Sequence, residues 1–203
     1  MVAESTDRNW RTGHMPHGER ITLWGQPVEQ ILTALPAFDR LFAAFQPKRI
    51  IEWGTGTGGF AVYLAVWARL LQAELLTVDH ANISGARGVL DRLPGLPVRW
   101  RAGDFLADPW LYGAGWTIPR APSLWLCDGG TDKANQLHVA AEFLRSGDVA
   151  MVHDYAPSGD ECGKMNQVDL VSVTATSVQY GLQPFMQETF DGWHTHWLCL
   201  RKR

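Results

Sequence analysis

The stretch Arg49-Ile50-Ile51-Glu52-Trp53-Gly54-Thr55-Gly56-Thr57-Gly58-Gly59-Phe60 constrains this chain more than any other. An apolar run ends in a glycine-rich turn, and the apolar residues from Ala61 to Leu71 then recur at helical spacing. The pattern predicts a strand, a tight turn and a helix. Glycine lets the turn take φ > 0 and lets a ligand approach where a Cβ would clash. The following helix aims its unpaired N–H groups at the turn, which favours an anionic or carboxylate-bearing ligand. Such a turn can also merely connect two elements, so its meaning depends on the rest of the chain.

Strand-like runs recur at Arg49 to Trp53, Glu74 to Asp79, Val98 to Arg101, Ser123 to Cys127 and Asp148 to His153. Helical segments are expected at Ala61 to Leu71, near Gly85 to Arg92, and at Asn135 to Arg145. Strands that are apolar on both faces and separated by helices predict a buried parallel sheet, and right-handed crossovers make it doubly wound. Helical spacing from Gln26 to Phe45 predicts two helices or one kinked at Pro36. Toward the end, a helix from about Asn166 to Tyr180 is capped by Gly181. Runs at Leu182 to Met186 and Trp193 to Arg201 then flank Asp191-Gly192, read as a tight hairpin turn. The fold class is therefore α/β: a doubly wound, Rossmann-like, seven-stranded and mostly parallel sheet with an antiparallel C-terminal hairpin strand and helices on both faces.

Residues 1–20 are polar and rich in Gly, His and Pro, and read as a flexible N-terminal arm ahead of one domain at 21–203. His14 and His17 in that arm are expected to be solvated. The formal net charge of −3 gives no attraction to polyanions, so nucleic acid is not an expected partner. No apolar run is long enough to span a bilayer, so no membrane is expected either. The three cysteines, Cys127, Cys162 and Cys199, have no CxxC spacing, which suggests a reducing, cytoplasmic setting. The Phe- and Leu-rich N-terminal helical segment would suit either the sheet edge or a second subunit of a homo-oligomer.

In a doubly wound sheet, ligands bind outside the carboxyl ends of the strands. The expected strands end in Glu52, in Asp79-His80, before Asp104-Phe105, in Asp128-Gly129-Gly130 and in His153-Asp154-Tyr155, so each brings a carboxylate to one edge. Asp79 follows the glycines by about 25 residues, near the spacing at which an acid bonds a ribose hydroxyl. The same Asp would also serve as an ordinary helix cap. Asp104 with Phe105 can read an adenine ring, or can be a turn Asp beside a core Phe. Trp24, Trp110, Trp116 and Trp193 fall at loops and could line an aromatic pocket. By contrast Trp53, Trp67, Trp100, Trp125 and Trp197 sit in periodic segments and are read as core.

Taken together, the motifs Ile51 to Gly59, Val78-Asp79-His80, Ala102-Gly103-Asp104-Phe105 and Leu126-Cys127-Asp128-Gly129-Gly130 resemble those of class I S-adenosylmethionine-dependent methyltransferases. The likeness runs from about Trp24 to the C-terminus. Leu23-Trp24-Gly25-Gln26-Pro27, with Cys127 to Gly130 and His153-Asp154-Tyr155, is similar to the cephalosporin-hydroxylase-like and rhamnosyl O-methyltransferase-like group. The macrocin and catechol O-methyltransferases are more distant. The resemblance implies O-methylation of a small-molecule hydroxyl. It implies that Gly54, Thr55, Gly56 and Gly58 wrap the methionine part of the cofactor, with Glu52 near its amino end. Asp79 and His80 would lie at the ribose, and Asp104 with Phe105 at the adenine.

Several relatives hold a divalent metal (Mg, Mn or similar) at positions matching Asp128, His153 and Asp154, usually with an acidic pair where this chain has His153-Asp154. Three readings stay open: His153 as metal ligand, His153 as general base beside a metal held by Asp128 and Asp154, or a site without metal. Catalytic roles fall to His153, Asp128 and Lys133, although for Lys133 an exposed lysine at a helix start is the plainer expectation. A nicotinamide-dependent Rossmann oxidoreductase shares the glycine turn and the acid after the second strand. A protein that binds the cofactor without transferring a group is the non-enzymatic rival.

Overall fold

The glycine turn sits at the centre of a sheet that other elements cover on both sides. In a computed structural model, the described residues are 21–80, 88, 91, 95–109, 122–130, 132–155, 168–193 and 195–203. Two short strands, β1 (Thr22–Leu23) and β2 (Gln26–Pro27), pair as an antiparallel hairpin. Helix α1 (Ala34–Phe45), β3 (Arg49–Trp53), α2 (Gly59–Leu71), β4 (Glu74–Asp79) and β5 (Val98–Ala102) follow. The chain then forms β6 (Ser123–Cys127), α3 (Lys133–Phe143), β7 (Val149–His153) and α4 (Leu170–Tyr180). It closes with β8 (Leu182–Pro184), α5 (Gln187–Gly192) and β9 (Trp197–Lys202).

The main sheet has seven strands in the order β5-β4-β3-β6-β7-β9-β8. Strands β3 to β7 run parallel, and β9 is antiparallel to both β7 and β8. The strand order reverses at β3, which has β4 on one side and β6 on the other. Every residue of β3 and β6 is buried, whereas β5 at the edge alternates and is partly exposed. Side-chain alternation sends Ile50 to one face and Ile51 and Trp53 to the other, so two cores form. The first core packs Phe38, Leu41 and Phe42 of α1 and Leu64 of α2 on the sheet. Phe38 is its hub, with ring centroids of Phe60, Phe190 and Trp197 at 5.1, 5.6 and 5.4 Å. The second core buries Leu137, Ala140 and Val173 from the other side, with Trp53 stacked on Phe105.

Three expectations need correction. The apolar residues from Gln26 to Phe45 do not form one helical stretch, because residues 26 and 27 are strand and the helix begins at Ala34. Pro36 neither kinks nor splits it: it lies in the first turn, where its missing N–H has no intrahelical partner to lose. Asp191-Gly192 does not form a two-residue hairpin turn. It ends the short helix α5, which joins β8 to β9, and the antiparallel pairing of these strands is as expected. Gly181 does cap α4, with φ 67° and its N–H donating to Ser177 O. The arm at 1–20, the segment near Gly85 to Arg92 apart from residues 88 and 91, Trp110, Trp116 and Cys162 lie outside the described residues. Cys127 and Cys199 are free and buried. No helix among the described residues is long and apolar enough to cross a membrane.

Candidate functional site

The carboxyl ends of β3, β4, β5, β6 and β7 share one rim, and the acids expected there are all on it. At the point of strand reversal, Gly54, Gly56 and Gly58 have φ of 108°, 52° and 88°, a left-handed turn that a Cβ would strain. A Cβ on Gly54 would also stand 2.5 Å from the backbone carbonyl of Asp128, so the β3 and β6 turns touch. Gly58 is the N-cap of α2 and supplies no side chain to its first N–H groups. Asp79 Oδ2 accepts a hydrogen bond of 2.8 Å from Gly56 N, which pins the acid that ends β4 to the glycine turn.

Beside that turn lies a buried polar cluster. His153 Nδ1 is 2.9 Å from Asp128 Oδ1 and 3.3 Å from Asp154 Oδ1. Lys133 Nζ is 3.0 Å from the same Asp128 oxygen and also donates to Asp154 Oδ2. Lys133 is only 5% exposed, contrary to the expectation of a solvated helix-start lysine. The two carboxylates it meets offset a burial that would otherwise be unfavourable. Burial pulls the Lys133 ammonium down, but Asp128 and Asp154 outweigh it and hold it above its usual range. Burial pushes the Asp128 carboxyl up, yet His153 and Lys133 together hold it below the ordinary carboxylate value. The His153 ring leans on Trp197 at 4.7 Å. With Nδ1 donating to Asp128, a neutral imidazole carries its lone pair on Nε2.

Three residues in this neighbourhood carry no sequence signal. Gln30 Nε2 donates to Asp128 Oδ2 at 2.8 Å, while its Oε1 accepts from Trp197 Nε1 at 2.9 Å. Those partners are 98 and 167 residues away along the chain, and no local pattern encodes such a bridge. Glu29 Oε2 accepts from Thr57 N at 3.2 Å. Thr57 Oγ1 in turn donates to Pro27 O, an oxygen that a Cβ on Gly59 would overlap. That glycine therefore lets the N-terminal hairpin close on α2. Gln136, one helical turn after Lys133, accepts from Gly129 N and donates to Gly129 O, holding the Asp128 turn.

Glu52, at the end of β3, is 1% exposed and shares a hydrogen-bond chain in which Thr77 Oγ1 donates at 2.5 Å. Thr55 Oγ1 lies 2.5 Å from Thr77 Oγ1 and extends that chain. Burial first, with Asp128 and Asp79 adding to it against the Thr77 bond, pushes the Glu52 carboxyl up to about 8. Asp104 Oδ1 accepts from Leu106 N and Ala107 N, so this acid builds a turn. Phe105 is fully buried against Trp53 and offers no open face to a ligand, whereas His80 is half-exposed and lies over it at 4.6 Å. His80, not Phe105, is thus the ring on the surface at the Asp104 end. Trp24 is exposed at the hairpin turn, while Trp53, Trp125 and Trp197 are core.

A cavity of about 20 Å³ lies between the glycine turn and the N-terminal segment, lined by Glu29, Gln30, Glu52, Thr57 and Asp128 among others. That is room for about one water. The larger cavity of about 470 Å³ is lined by Arg69, Gln72, Glu74 and Pro97 at the amino ends of the strands, away from every rim acid. Chemistry, not volume, selects the rim. As it stands the cluster does not fit a divalent metal. Among the described residues no group of three His, Cys, Asp or Glu side chains could hold one. Each oxygen of Asp128 and Asp154 already faces Gln30, His153 or Lys133.

No protein-family model matches the chain, and no curated protein matches it. Solved structures do. CmcI-D160 with Mg and SAM superposes with a TM-score of 0.66 at 13% identity, over 100% of this chain and 89% of that one. CmcI-N160 with SAH gives 0.60 at 14%, over 100% and 96%. A protein from Klebsiella pneumoniae described as an O-methyltransferase gives 0.58 at 20%, over 88% and 84%. The chain shares the fold of these structures. In that fold the β5-β4-β3-β6-β7-β9-β8 order, with β9 inserted antiparallel, brings the glycine turn and the Asp128 cluster together at the strand reversal.

Proposed function

We propose that this chain is an S-adenosylmethionine-dependent methyltransferase that methylates a hydroxyl group of a small molecule. The observation that carries the reading is the single rim on which the glycine turn, Asp79, and the Asp128–His153–Asp154 cluster adjoin. The residues present suit the donor. The left-handed glycine turn and the uncapped start of α2 suit its carboxylate, an acid at the position of Asp79 suits its ribose, and an acidic rim suits a sulfonium cation. Glu29 lines the small cavity and accepts from Thr57 N there.

When bound, S-adenosylmethionine supplies a methyl carbon activated by positive sulfur. The chain's own work is to align the acceptor, exclude water and take up one proton. His153 Nε2 would take up the proton that an acceptor hydroxyl beside it loses on methylation. Asp128 keeps the imidazole oriented and balances the imidazolium that forms. A water-poor site strengthens that pairing.

A nicotinamide oxidoreductase would need none of the Asp128–His153–Asp154 cluster. Incubation of the protein with methyl-labelled donor and a metabolite extract separates the readings. Release of a labelled, base-stable methyl ether supports O-methylation, and bound label without released product identifies a binding protein instead.

A further inference from the structure

The position of Lys133 goes against two general preferences. As the first residue of α3 its ammonium faces the positive end of the helix dipole. Its side chain is also 6% exposed, where a charge without partners would be strongly disfavoured. What holds it there is a pair of carboxylates from the ends of adjacent parallel strands, Asp128 after β6 and Asp154 after β7. A divalent cation in a hard-oxygen site would take that same place, between two acids at the rim and next to the acceptor. Here no carboxylate oxygen is left for it. Asp128 Oδ1 meets Lys133 and His153, Asp128 Oδ2 meets Gln30, Asp154 Oδ1 meets His153, and Asp154 Oδ2 meets Lys133.

We propose that the Lys133 ammonium replaces a divalent metal in this site, as a tethered cation that orders Asp128 and Asp154 and makes the transfer metal-independent. The inference rests on the methyl-transfer reading for its role, and on the occupied oxygens for its geometry. Lys133 keeps its protons throughout, because its two carboxylate partners need a cation and His153 is the group with a lone pair to offer. Gln136 reinforces the arrangement, since the same helical turn that carries Lys133 also ties down Gly129 beside Asp128.

The test uses full-length protein dialysed against a chelator. Manganese(II) uptake is read by electron paramagnetic resonance, and S-adenosylhomocysteine binding by calorimetry in the presence of chelator. Wild type should bind no manganese through this site, so that Asp128→Asn leaves the titration unchanged. Lys133→Met should gain an Asp128-dependent manganese site about a hundredfold tighter than any in wild type, because a fixed positive charge no longer repels the ion. Stoichiometric manganese binding by wild type that Asp128→Asn abolishes would overturn the proposal, as would Lys133→Met that folds and gains nothing. If Lys133→Met does not fold, the comparison of wild type with Asp128→Asn decides alone. Absence of S-adenosylhomocysteine binding with the manganese results as expected would remove the methyl-transfer reading and leave the lysine's place as the cation intact.

Discussion

Glu52 is a carboxyl that the fold keeps protonated, and replacing it with glutamine isolates that effect. Its pKa is pushed from 4.5 up to about 8, with burial as the leading cause. The folded chain therefore holds a proton at pH 7 that the unfolded chain has released. Stability from this group is fully present below pH 4.5 and declines as pH rises through the interval to about 8. Each pH unit in that interval costs about 1.4 kcal/mol, so at pH 7 wild type gives up about 3 kcal/mol. At 1% exposure no solvent screening reduces the figure. Asp128 and Lys133 do not confuse the measurement. Asp128 is depressed, so its contribution is lost only as pH falls below its usual 3.8, and that of Lys133 is lost only as pH rises above 10.5. Glu52→Gln keeps the shape and an acceptor for Thr77 without the ionisation. Urea unfolding at pH 5, 6, 7 and 8 should show the variant's advantage growing from below about 1 kcal/mol to about 3 at pH 7 and more at pH 8. A constant difference across this range, or a variant less stable at pH 8, would mean that Glu52 is ionised in the folded protein.

Two further substitutions test the frame around the site. Phe38→Ala removes the ring that joins Phe60, Phe190 and Trp197, and should cost about 3–5 kcal/mol in urea unfolding. A loss under about 1 kcal/mol would show that this core can collapse around the gap. Gly54→Ala places a Cβ 2.5 Å from the Asp128 carbonyl at φ 108°, and should destabilise by about 2 kcal/mol or more. It should also abolish S-adenosylhomocysteine binding in protein that remains folded by circular dichroism, and unchanged affinity would show that the turn does not shape the site.

Much of the architecture is legible locally. Strands that are apolar on both faces mark β3, β4, β6 and β7, with β5 more polar, and the residues that end them lie on one rim because parallel strands share a direction. What escaped was set by distant contacts. Gln30 has its meaning only through Asp128 and Trp197, and Glu29 only through the glycine turn. Lys133 looks like a solvated helix start until two strand ends supply its carboxylates. Asp191-Gly192 carries a strong hairpin signal, yet the Gln187 side chain, bonded to Asp191, Trp197 O and Cys199 N, fixes a short helix there instead. Phe105 follows a rim acid, but Trp53 draws it into the core.

On the reading proposed above, the rim joining the glycine turn to Asp128 receives a sulfonium nucleoside. Isothermal titration with S-adenosylhomocysteine tests it most directly, with the nicotinamide dinucleotide as control and Asp79→Ala as the site variant. One binding site per chain is expected, with no heat from the dinucleotide and at least about tenfold weaker binding for Asp79→Ala, the loss expected for a hydrogen bond to a charged group. No binding of S-adenosylhomocysteine by folded wild type, or saturable binding of the dinucleotide in its place, would contradict it.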